Sequence, residues 1–459
     1  MPAVHPFRAV QYAEALAGRA ERPADLSRLV APPYDVLDAD SKAALLKQDQ
    51  RNIVRIDLPH LPAKELGPTE AYEQAARTFR QWLDEGVLAR RGQPVLLAYR
   101  QRFEFGGARH LRTGMACTLE THPFGPRAGG GVLPHEETFS GPKEDRLALM
   151  TATGAQFSPI FGLHPDEDGR ATALIGSIMS RRGPDVVART EAGFGGPVDH
   201  EVWTLSDSPT IREYAQALQG QDVFIADGHH RYTTALNYLR SLESREPVGP
   251  DHPARRCLFV LVSMSDPGMV IGPTHRVLGG MSQYSLDAFE RAAAGKLVLR
   301  ETRSGLAGLE REMAAAGGPA KQGVLGLYDF ATGRCLTATP ANPDPLERRF
   351  PERVRAWRTL DVALVQHLVV EEICQPALNG GRPVAWAFPH SLEEVAAIGA
   401  GQEKGSGGGK AFTPQLAVIV RPTPLEAVRE VSRAGELMPQ KSTFFYPKLA
   451  TGLFMNSLS

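Results

Sequence analysis

The sequence predicts an α/β to α+β protein, and two observations support that class. Segments typical of strands alternate with segments typical of helices, which disfavours an all-α or all-β fold. Proline and glycine, with 36 and 45 residues, recur along the whole chain and predict many short elements. With 459 residues, 42% of them hydrophobic and 22% charged, the chain has the length of about three domains and can bury a large core.

In the first 90 residues, Leu29–Leu37 and Asn52–Leu58 are predicted to be extended. Thr69–Glu85 predicts a helix with Thr69 as a plausible N-cap, because apolar residues recur there at helical spacing. That stripe consists of Ala71, Ala75, Phe79 and Leu83. The N-terminal region is therefore expected to combine extended segments with one amphipathic helix.

Later segments give clearer patterns. PVLLAYRQRFE, from Pro94, and SPIFGLHPD, from Ser158, predict strands. The unbroken apolar run CLFVLVSM, from Cys257, predicts a buried strand. Pro142 is placed to start a helix running through Leu149. Leu360–Ile373 predicts a strongly apolar helix and Glu403–Lys410 a flexible loop.

Composition excludes several classes of function. The net charge of −1 gives no footprint for nonspecific binding to nucleic acid or to an anionic membrane, and no apolar run is long enough for a membrane span. The N-terminus lacks the pattern of a signal peptide. The four cysteines of the chain are far apart in the sequence and form no CxxC pair, which disfavours a zinc knuckle or a disulfide scaffold. A cytoplasmic protein is the simplest expectation.

The stretch VFIADGHHRYTTALNYL, from Val223 to Leu239, predicts a strand, a tight turn and a helix. Asp227, Gly228, His229, His230 and Arg231 crowd that turn. A helix N-terminus attracts anions, a guanidinium matches a phosphate group, and two imidazoles supply donors or an acid and a base. The alternative is that the aspartate only caps the helix and the histidines lie at the surface.

A second polar motif, HEET at His135–Thr138, follows a glycine-rich loop. Repulsion between Glu136 and Glu137 would raise the pKa of one of them toward that of a useful general base. Equally, acidic residues favour a helix N-terminus without any catalytic role. The motif differs from HExxH, so a zincin-type zinc site is not indicated.

A third motif, PQKSTFFYPK at Pro439–Lys448, places Lys441, Ser442 and Thr443 where they could close over phosphates. The alternative is that its aromatic residues anchor the C-terminal region in a core. The glycine-rich run at Gly405–Phe412 is not a P-loop, because Ala411 stands where Ser or Thr is required. No G-x-S-x-G elbow of a hydrolase occurs.

These motifs together resemble the uncharacterised prokaryotic family called domain of unknown function 1015. The resemblance rests on APPYDVL, NIVRIDLP, HEET with Asp145 and Arg146, IADGHHRY, PTHR at Pro273–Arg276, LDV at Leu360–Val362, and PQKSTFFYPK. It extends over nearly the whole chain. The family name implies no activity.

Residues 130–245 also resemble the core of the ParB/sulfiredoxin superfamily. The shared order is an HEE element, a helix, a short strand that begins Pro-Ile, and then strand–DGHHR–helix. The combination is most similar to free serine kinases, which phosphorylate L-serine with ADP or ATP and magnesium. The resemblance predicts three regions: 1–90, a nucleotide-binding core at 91–277 with an insertion near 166–221, and a C-terminal α/β region at 278–459.

The resemblance implies roles for the motif residues. Glu136 would be the general base, with Glu137 as the fallback, and Asp227 would contact magnesium or substrate or orient a histidine. Gly228, His229, His230 and Arg231 would hold the nucleotide phosphates, with His230 also a catalytic candidate. The insertion leaves the acceptor open between serine and a related metabolite. A sulfiredoxin activity is disfavoured, because histidines occupy the loop position of its cysteine.

Two functions therefore remain as expectations. The first is a kinase of a small hydroxylated metabolite that uses ATP or ADP with Mg²⁺. The second is a nucleotide-binding regulator without turnover. A metal-dependent hydrolase built from Asp227 and the neighbouring histidines ranks last, because adjacent histidines seldom bind one metal. A small molecule and a nucleotide are the expected partners, without nucleic acid or membrane, and an oligomer is possible.

Overall fold

The computed structural model describes residues 3–136, 140–191, 196–317, 322–401 and 412–458. They form a mixed α/β protein, as predicted, with two compact units. The first unit comprises Met1–Pro134, Thr138–Val270 and Pro447–Ser459, and the second comprises His135–Glu137 and Ile271–Tyr446. The division into three regions and the ParB/sulfiredoxin-like character of the core stay predictions.

The main sheet of the first unit contains ten strands among the described residues. Nine follow one another in the order Ala24–Asp25, Val186–Glu191, Pro197–Leu205, Leu96–Phe105, Ala108–Glu120, Arg256–Ser263, Ile160–His164, Val223–Asp227 and Val132–Leu133. Val4–His5 pairs with Ala108–Glu120 outside this order. Short strands outside the main sheet are Val10–Tyr12 with Leu88–Arg90, and Ala155–Gln156 with Asn456–Ser457.

The first unit also contains eight α-helices and two 3₁₀ turns among the described residues. They are Ala13–Ala17, Ala39–Gln48, Val54–Asp57, Thr69–Asp84, Ser140–Thr153, Arg170–Arg181, Ser208–Ala217 and His229–Glu243, with 3₁₀ turns at Tyr34–Val36 and Pro253–Arg255. The strand Arg256–Ser263 pairs on both edges, antiparallel to Ala108–Glu120 and parallel to Ile160–His164. This central position explains its unbroken apolar run, because both of its faces are buried.

The second unit has its own sheet and core. Its six-stranded sheet in the described ranges is antiparallel, in the order Leu297–Thr302, Cys335–Pro340, Leu325–Asp329, Pro414–Ile419, Arg276–Gly279 and Ala385–Ala387. Further strands are Val270–Gly272 and Phe444–Tyr446. The helices are Leu286–Ala293, Gly305–Gly317, Arg355–Arg358, Asp361–Ala363, Gln375–Leu378, Leu392–Gly399 and Leu425–Arg433, with a π-helix at Leu364–Cys374.

Most of the predicted elements are confirmed. They include the helix at Thr69–Asp84, the strand–turn–helix around Asp227 and the apolar helix after Leu360, whose π-helical winding was not foreseen. Thr69 is the first helical residue, so its prediction as the N-cap is wrong; Pro68 occupies that position. The predicted loop at Glu403–Lys410 lies outside the described residues.

Two predictions of extended chain near the N-terminus are wrong in part. Residues Val54–Asp57 form a helical turn, because the Asn52 side chain accepts a hydrogen bond from the amide of Val54 at 3.0 Å and starts the turn. Tyr34–Val36 forms a 3₁₀ turn directly after Pro33. None of the helices in the described ranges has the length and hydropathy of a membrane span.

The central strand should dominate the stability of the first unit. We expect Leu261→Ala, at a fully buried position, to lower the free energy of unfolding by about 2–5 kcal/mol through lost apolar contacts and a residual cavity. Leu66→Ala is the matched control, because Leu66 is 58% exposed, and it should change stability by about 0.5 kcal/mol or less. Urea unfolding of the three proteins measures this, and equal losses in both variants would contradict the assignment.

Candidate functional site

The polar turn predicted from the sequence lies at the end of the strand Val223–Asp227. Gly228 follows with φ 102°, a left-handed conformation that side chains disfavour, and the helix His229–Glu243 begins at the next residue. The strand pairing with Ile160–His164 shifts register between Ile225 and Asp227, which gives the turn an irregular entry. Local geometry therefore directs the strand into a helix N-terminus within one glycine.

The alternative reading of this turn as a simple cap is not supported. Gly228, and not Asp227, occupies the N-cap position. The carboxylate of Asp227 instead accepts hydrogen bonds from Arg231 and, at 3.0 Å, from Lys448. His229 is buried and His230 is half-buried, so neither is a fully exposed surface residue. The polar residues of the turn therefore take part in interactions beyond capping.

Arg231 is held against the inner side of the turn. Its guanidinium pairs with Asp227 four residues earlier and also donates to the carbonyl of Pro159. The side chain is only 12% exposed. A planar donor fixed by two acceptors loses little freedom when a further anion binds, which suits recognition of a phosphate.

Lys448 joins the turn to the N-terminal motif APPYDVL. Its ammonium contacts Asp227 and Asp35, and all three side chains are 20–24% exposed. Burial is the largest influence on both carboxyls and opposes their ionisation, but the nearby cations, Lys448 first among them and Arg231 with it, together lower the pKa of Asp35 and of Asp227. Burial likewise opposes the charge of Lys448, and the two carboxylates reverse this and raise the pKa of its ammonium. We name Asp35, Asp227, Arg231 and Lys448 the turn cluster.

A second buried cluster surrounds Arg146. Its Nε donates to Asp145 at 2.8 Å, and its Nη1 donates to the backbone carbonyl of Asp57 at 2.7 Å. The guanidinium carbon of Arg146 lies over the Tyr34 ring, 3.9 Å from the ring centroid. Burial raises the pKa of the Asp57 carboxyl, although Arg146 opposes this shift. His60 Nε2 lies 2.8 Å from Asp145 Oδ1. We name Tyr34, Asp57, His60, Asp145 and Arg146 the arginine cluster.

The two clusters border one cavity of about 40 Å³. Its lining includes Arg231 from the turn cluster, and Tyr34, Asp57 and Arg146 from the arginine cluster. The volume is of the order needed for one water molecule, which occupies about 30 Å³ in the liquid. Motifs that are distant in the sequence thus converge on one region of the first unit.

The HEET and KST motifs meet in the second unit. Glu136 Oε1 accepts hydrogen bonds from the backbone amides of Ser442 and Thr443 at 2.9 and 3.1 Å. The Thr443 hydroxyl lies 3.2 Å from the same oxygen and 2.8 Å from His135 Nε2. Burial lowers the pKa of Arg276 to about 10, although the nearby charge of Glu136 opposes the shift. The glutamate is therefore held in place by the C-terminal loop.

The predicted site residues fall into two sets. Asp227, Gly228, His229, His230 and Arg231 belong to the first unit, and Glu136, Lys441, Ser442 and Thr443 belong to the second. Lys441 is exposed and has a left-handed φ of 59°. Glu137 lies outside the described residues. The meeting of Glu136 with the DGHHR turn stays a prediction.

Asp35, Asp57, Tyr34 and Lys448 were not predicted as site residues. Each lies in a motif that was recognised in the sequence, namely APPYDVL, NIVRIDLP and PQKSTFFYPK. Membership of these motifs was thus the signal available in the sequence. The pairing of Asp35 and Asp227 with Lys448 could not be predicted, because the three residues lie far apart in the chain.

The turn cluster does not fit a ready-made magnesium site. Lys448 contacts one carboxylate oxygen of Asp227, and Arg231 contacts the other. In the part of the chain that the structure describes, no group of three or more His, Cys, Asp or Glu side chains is arranged to bind a metal ion. Magnesium usually keeps several waters and binds substrate phosphates. If magnesium takes part, we therefore expect the nucleotide phosphates to bind it and not a set of protein side chains alone.

Comparison with known proteins identifies the family. Residues 4–363 match the family described as protein of unknown function (DUF1015). The chain belongs to this family. A comparison with curated protein sequences finds no significant match.

Solved structures with similarity to this DUF1015 protein include free serine kinase. Its complex with AMP is 14% identical, with a TM-score of 0.31, over 69% of this chain and 86% of that chain. A mutant of free serine kinase in complex with ADP gives 13% and 0.31 over the same shares. SbnI from Staphylococcus aureus, truncated at its C-terminus, gives 10% and 0.30 over 69% and 81%.

Removing the lysine of the turn cluster should leave two carboxylates facing each other. We expect Lys448→Met to lower the free energy of unfolding at pH 7 by about 3 kcal/mol, the lower end for buried pairs, because the side chains keep some exposure. Lys47→Met, at an exposed lysine, is the matched control and should change it by less than about 1 kcal/mol.

The same substitution should have a defined pH dependence. Because the folded-state pKa values of Asp35 and Asp227 are lowered, the stability they contribute is present above their unfolded value of about 3.9 and is lost as pH falls below it. The difference between wild type and Lys448→Met should therefore narrow below about pH 4. Urea unfolding between pH 3 and 8 measures it, and a constant difference would contradict the ion pairing.

Proposed function

We propose that the protein is a nucleotide-dependent kinase that transfers a phosphoryl group to the hydroxyl of a small metabolite, serine or a serine-like compound. The observation that carries this proposal is the turn cluster. Two cations, Arg231 and Lys448, meet on Asp227 beside a helix that starts from a glycine without a capping side chain. Positive charge and a helix N-terminus together favour a phosphate.

Nucleotide binding would proceed by exchange of partners at the turn. A phosphate oxygen has the same complementarity to a guanidinium fork as the carboxylate that now holds it. The helix dipole at Gly228, His229 and His230 would add its positive end to the two cations. Asp35 and Asp227 would keep Lys448 charged and positioned until the phosphates arrive.

Phosphoryl transfer makes modest demands that these residues can meet. The reaction needs positioning and neutralisation of charge more than covalent participation of the protein. Glu136 is the proposed general base, with Glu137 as the alternative. The hydrogen bonds from Ser442 and Thr443 converge on Oε1 of Glu136 and leave Oε2 with none of them, so that oxygen is the proposed acceptor of the hydroxyl proton.

This geometry refines the proposed role of the KST motif. The backbone amides of Ser442 and Thr443 already donate to Glu136, so we assign these two residues to positioning the base. Lys441, with an exposed side chain, remains the proposed phosphate contact of this loop. His230 is retained as a proposed acid or base beside the phosphates.

A nucleotide-binding regulator without turnover is the second candidate. The observation that favours it is that the whole turn cluster lies within the first unit, so nucleotide binding there would not need Glu136. Such a protein would gain thermal stability from nucleotide and form no product. A kinase would show both effects.

Turnover tests the kinase directly. We expect a phosphorylated product from a panel of hydroxylated amino acids and related metabolites with ATP or ADP and Mg²⁺, detected by mass spectrometry. Glu136→Gln should lower kcat by about 10²–10⁴-fold, as expected for loss of a general base, with the nucleotide Kd changed less than about threefold. The control Glu430→Gln alters an exposed glutamate and should keep normal turnover. A Glu136→Gln enzyme with unchanged kcat would remove Glu136 from this role.

Affinity for nucleotide tests the turn cluster. We expect Arg231→Gln to weaken ADP binding by about tenfold or more, because a hydrogen bond to a charged group contributes about 1.5–3 kcal/mol. Arg240→Gln, an exposed arginine in the same helix, is the matched control and should bind like wild type. Titration calorimetry measures both, with circular dichroism to verify folding. Equal affinity in wild type and Arg231→Gln would exclude Arg231 as a phosphate ligand.

A further inference from the structure

The first unit contains a second, larger cavity that none of the predicted site residues line. Its volume is about 210 Å³, roughly five times that of the cavity beside Arg231. Arg8, Arg90 and Arg256 line it, and Asp251 is the acidic residue of the lining. Three guanidinium-bearing side chains in one concavity are an unusual concentration of positive charge for a chain with a net charge of −1.

Two of these arginines are held by other lining residues. The guanidinium of Arg90 donates to the hydroxyl of Ser457, and that of Arg256 lies 3.6 Å from Asp251. Arg90 ends the strand Leu88–Arg90 and Arg256 begins the strand Arg256–Ser263, so both backbones are fixed by sheet pairing. The cations are thus supported by regular structure and not only by loops.

The single acidic residue of the lining offsets only part of the charge of the three arginines. The side chain of Asp251 is 96% exposed, so water screens its attraction to Arg256. Glu120 lies opposite Arg256 in the neighbouring strand, but its carboxylate contacts His5 at 3.4 Å and His122 at 3.2 Å. Burial lowers the pKa of His5 and the charge of Arg256 lowers it further, while Glu120 and Asp251 oppose the shift.

The walls of the cavity are rigid and offer further hydrogen-bonding groups. Pro6, Pro94 and Pro253 line it and restrict the backbone around the arginines. Asn456 and Ser457 contribute an amide and a hydroxyl from a strand that pairs with Ala155–Gln156. Small-ligand sites commonly combine such fixed walls with a few placed polar groups.

We infer that this cavity, named here the three-arginine cavity, binds a compact multivalent oxyanion, either a phosphate-bearing or a polycarboxylate small molecule. Guanidinium groups match both chemistries through paired N–H donors. The site is independent of the proposed kinase, because its lining and the turn cluster share no residue. It would supply a second small-molecule contact on the same unit.

Titration calorimetry with inorganic pyrophosphate and, separately, with citrate at fixed ionic strength tests the inference. Wild type should bind at least one of the two saturably. The double variant Arg90→Gln with Arg256→Gln should weaken that binding about 100-fold, at roughly tenfold for each lost guanidinium. Arg109→Gln, which removes a 90% exposed arginine outside the cavity, should bind as wild type does.

The variant Arg231→Gln separates this site from the turn cluster. Binding retained in Arg231→Gln and lost in the double variant supports the three-arginine cavity, whatever the outcome of the kinase assay. The inference is overturned by binding that is lost in Arg231→Gln alone, that survives when Arg90→Gln and Arg256→Gln are added to Arg231→Gln, or that is absent from wild type with both anions. Should the double variant lack a native circular dichroism spectrum, Arg8→Gln takes its place. Arg8 is exposed, so the change should spare the fold, and unchanged affinity would again overturn the inference.

Discussion

The pairing of Asp227 with two cations is the interaction on which the rest of the site depends. A carboxylate at the entrance of a mostly buried turn is costly unless it is paired, and Arg231 and Lys448 provide that pairing. Asp35 also pairs with Lys448, and Asp227 and Asp35 together raise the pKa of the ammonium against the effect of burial. The turn therefore has its observed form only when the N-terminal motif, the helix start and the C-terminal segment are assembled together.

The same constraint explains how the C-terminal segment is held in the first unit. The buried side chain of Arg112 donates to the carbonyl of Pro447, and Gln101 donates to that of Lys448 at 3.1 Å. Both donors lie in adjacent strands of the central sheet. The sheet thus fixes the backbone on either side of the lysine whose ammonium contacts the carboxylates. The arginine cluster borders the same small cavity as the turn cluster. There, too, buried charges are paired, because Arg146 donates to the carboxylates of Asp145 and Asp57.

In the second unit a carboxylate is fixed by different means. Glu136 accepts hydrogen bonds from the backbone amides of Ser442 and Thr443 and from the Thr443 hydroxyl, and His135 Nε2 lies 3.8 Å from the same oxygen. These donors converge on Oε1 and so fix the orientation of the carboxylate. The two units therefore hold these carboxylates by different means: two cations contact Asp227, whereas amide and hydroxyl donors contact Glu136.

Local sequence determined the strand, the Gly228 turn and the helix around Asp227, because apolar periodicity and the freedom of glycine act within a few residues. It also determined the helix at Thr69–Asp84 and the buried strand after Cys257. The helical turn after Asn52 also has a local cause, the hydrogen bond from the Val54 amide to the Asn52 side chain, although the sequence pattern predicted an extended segment. Only the tertiary structure decided that Asp227 holds Lys448 and not the helix N-terminus. Charge pairing acts through space between residues far apart in the chain, so no local pattern records which partner a charged side chain will find.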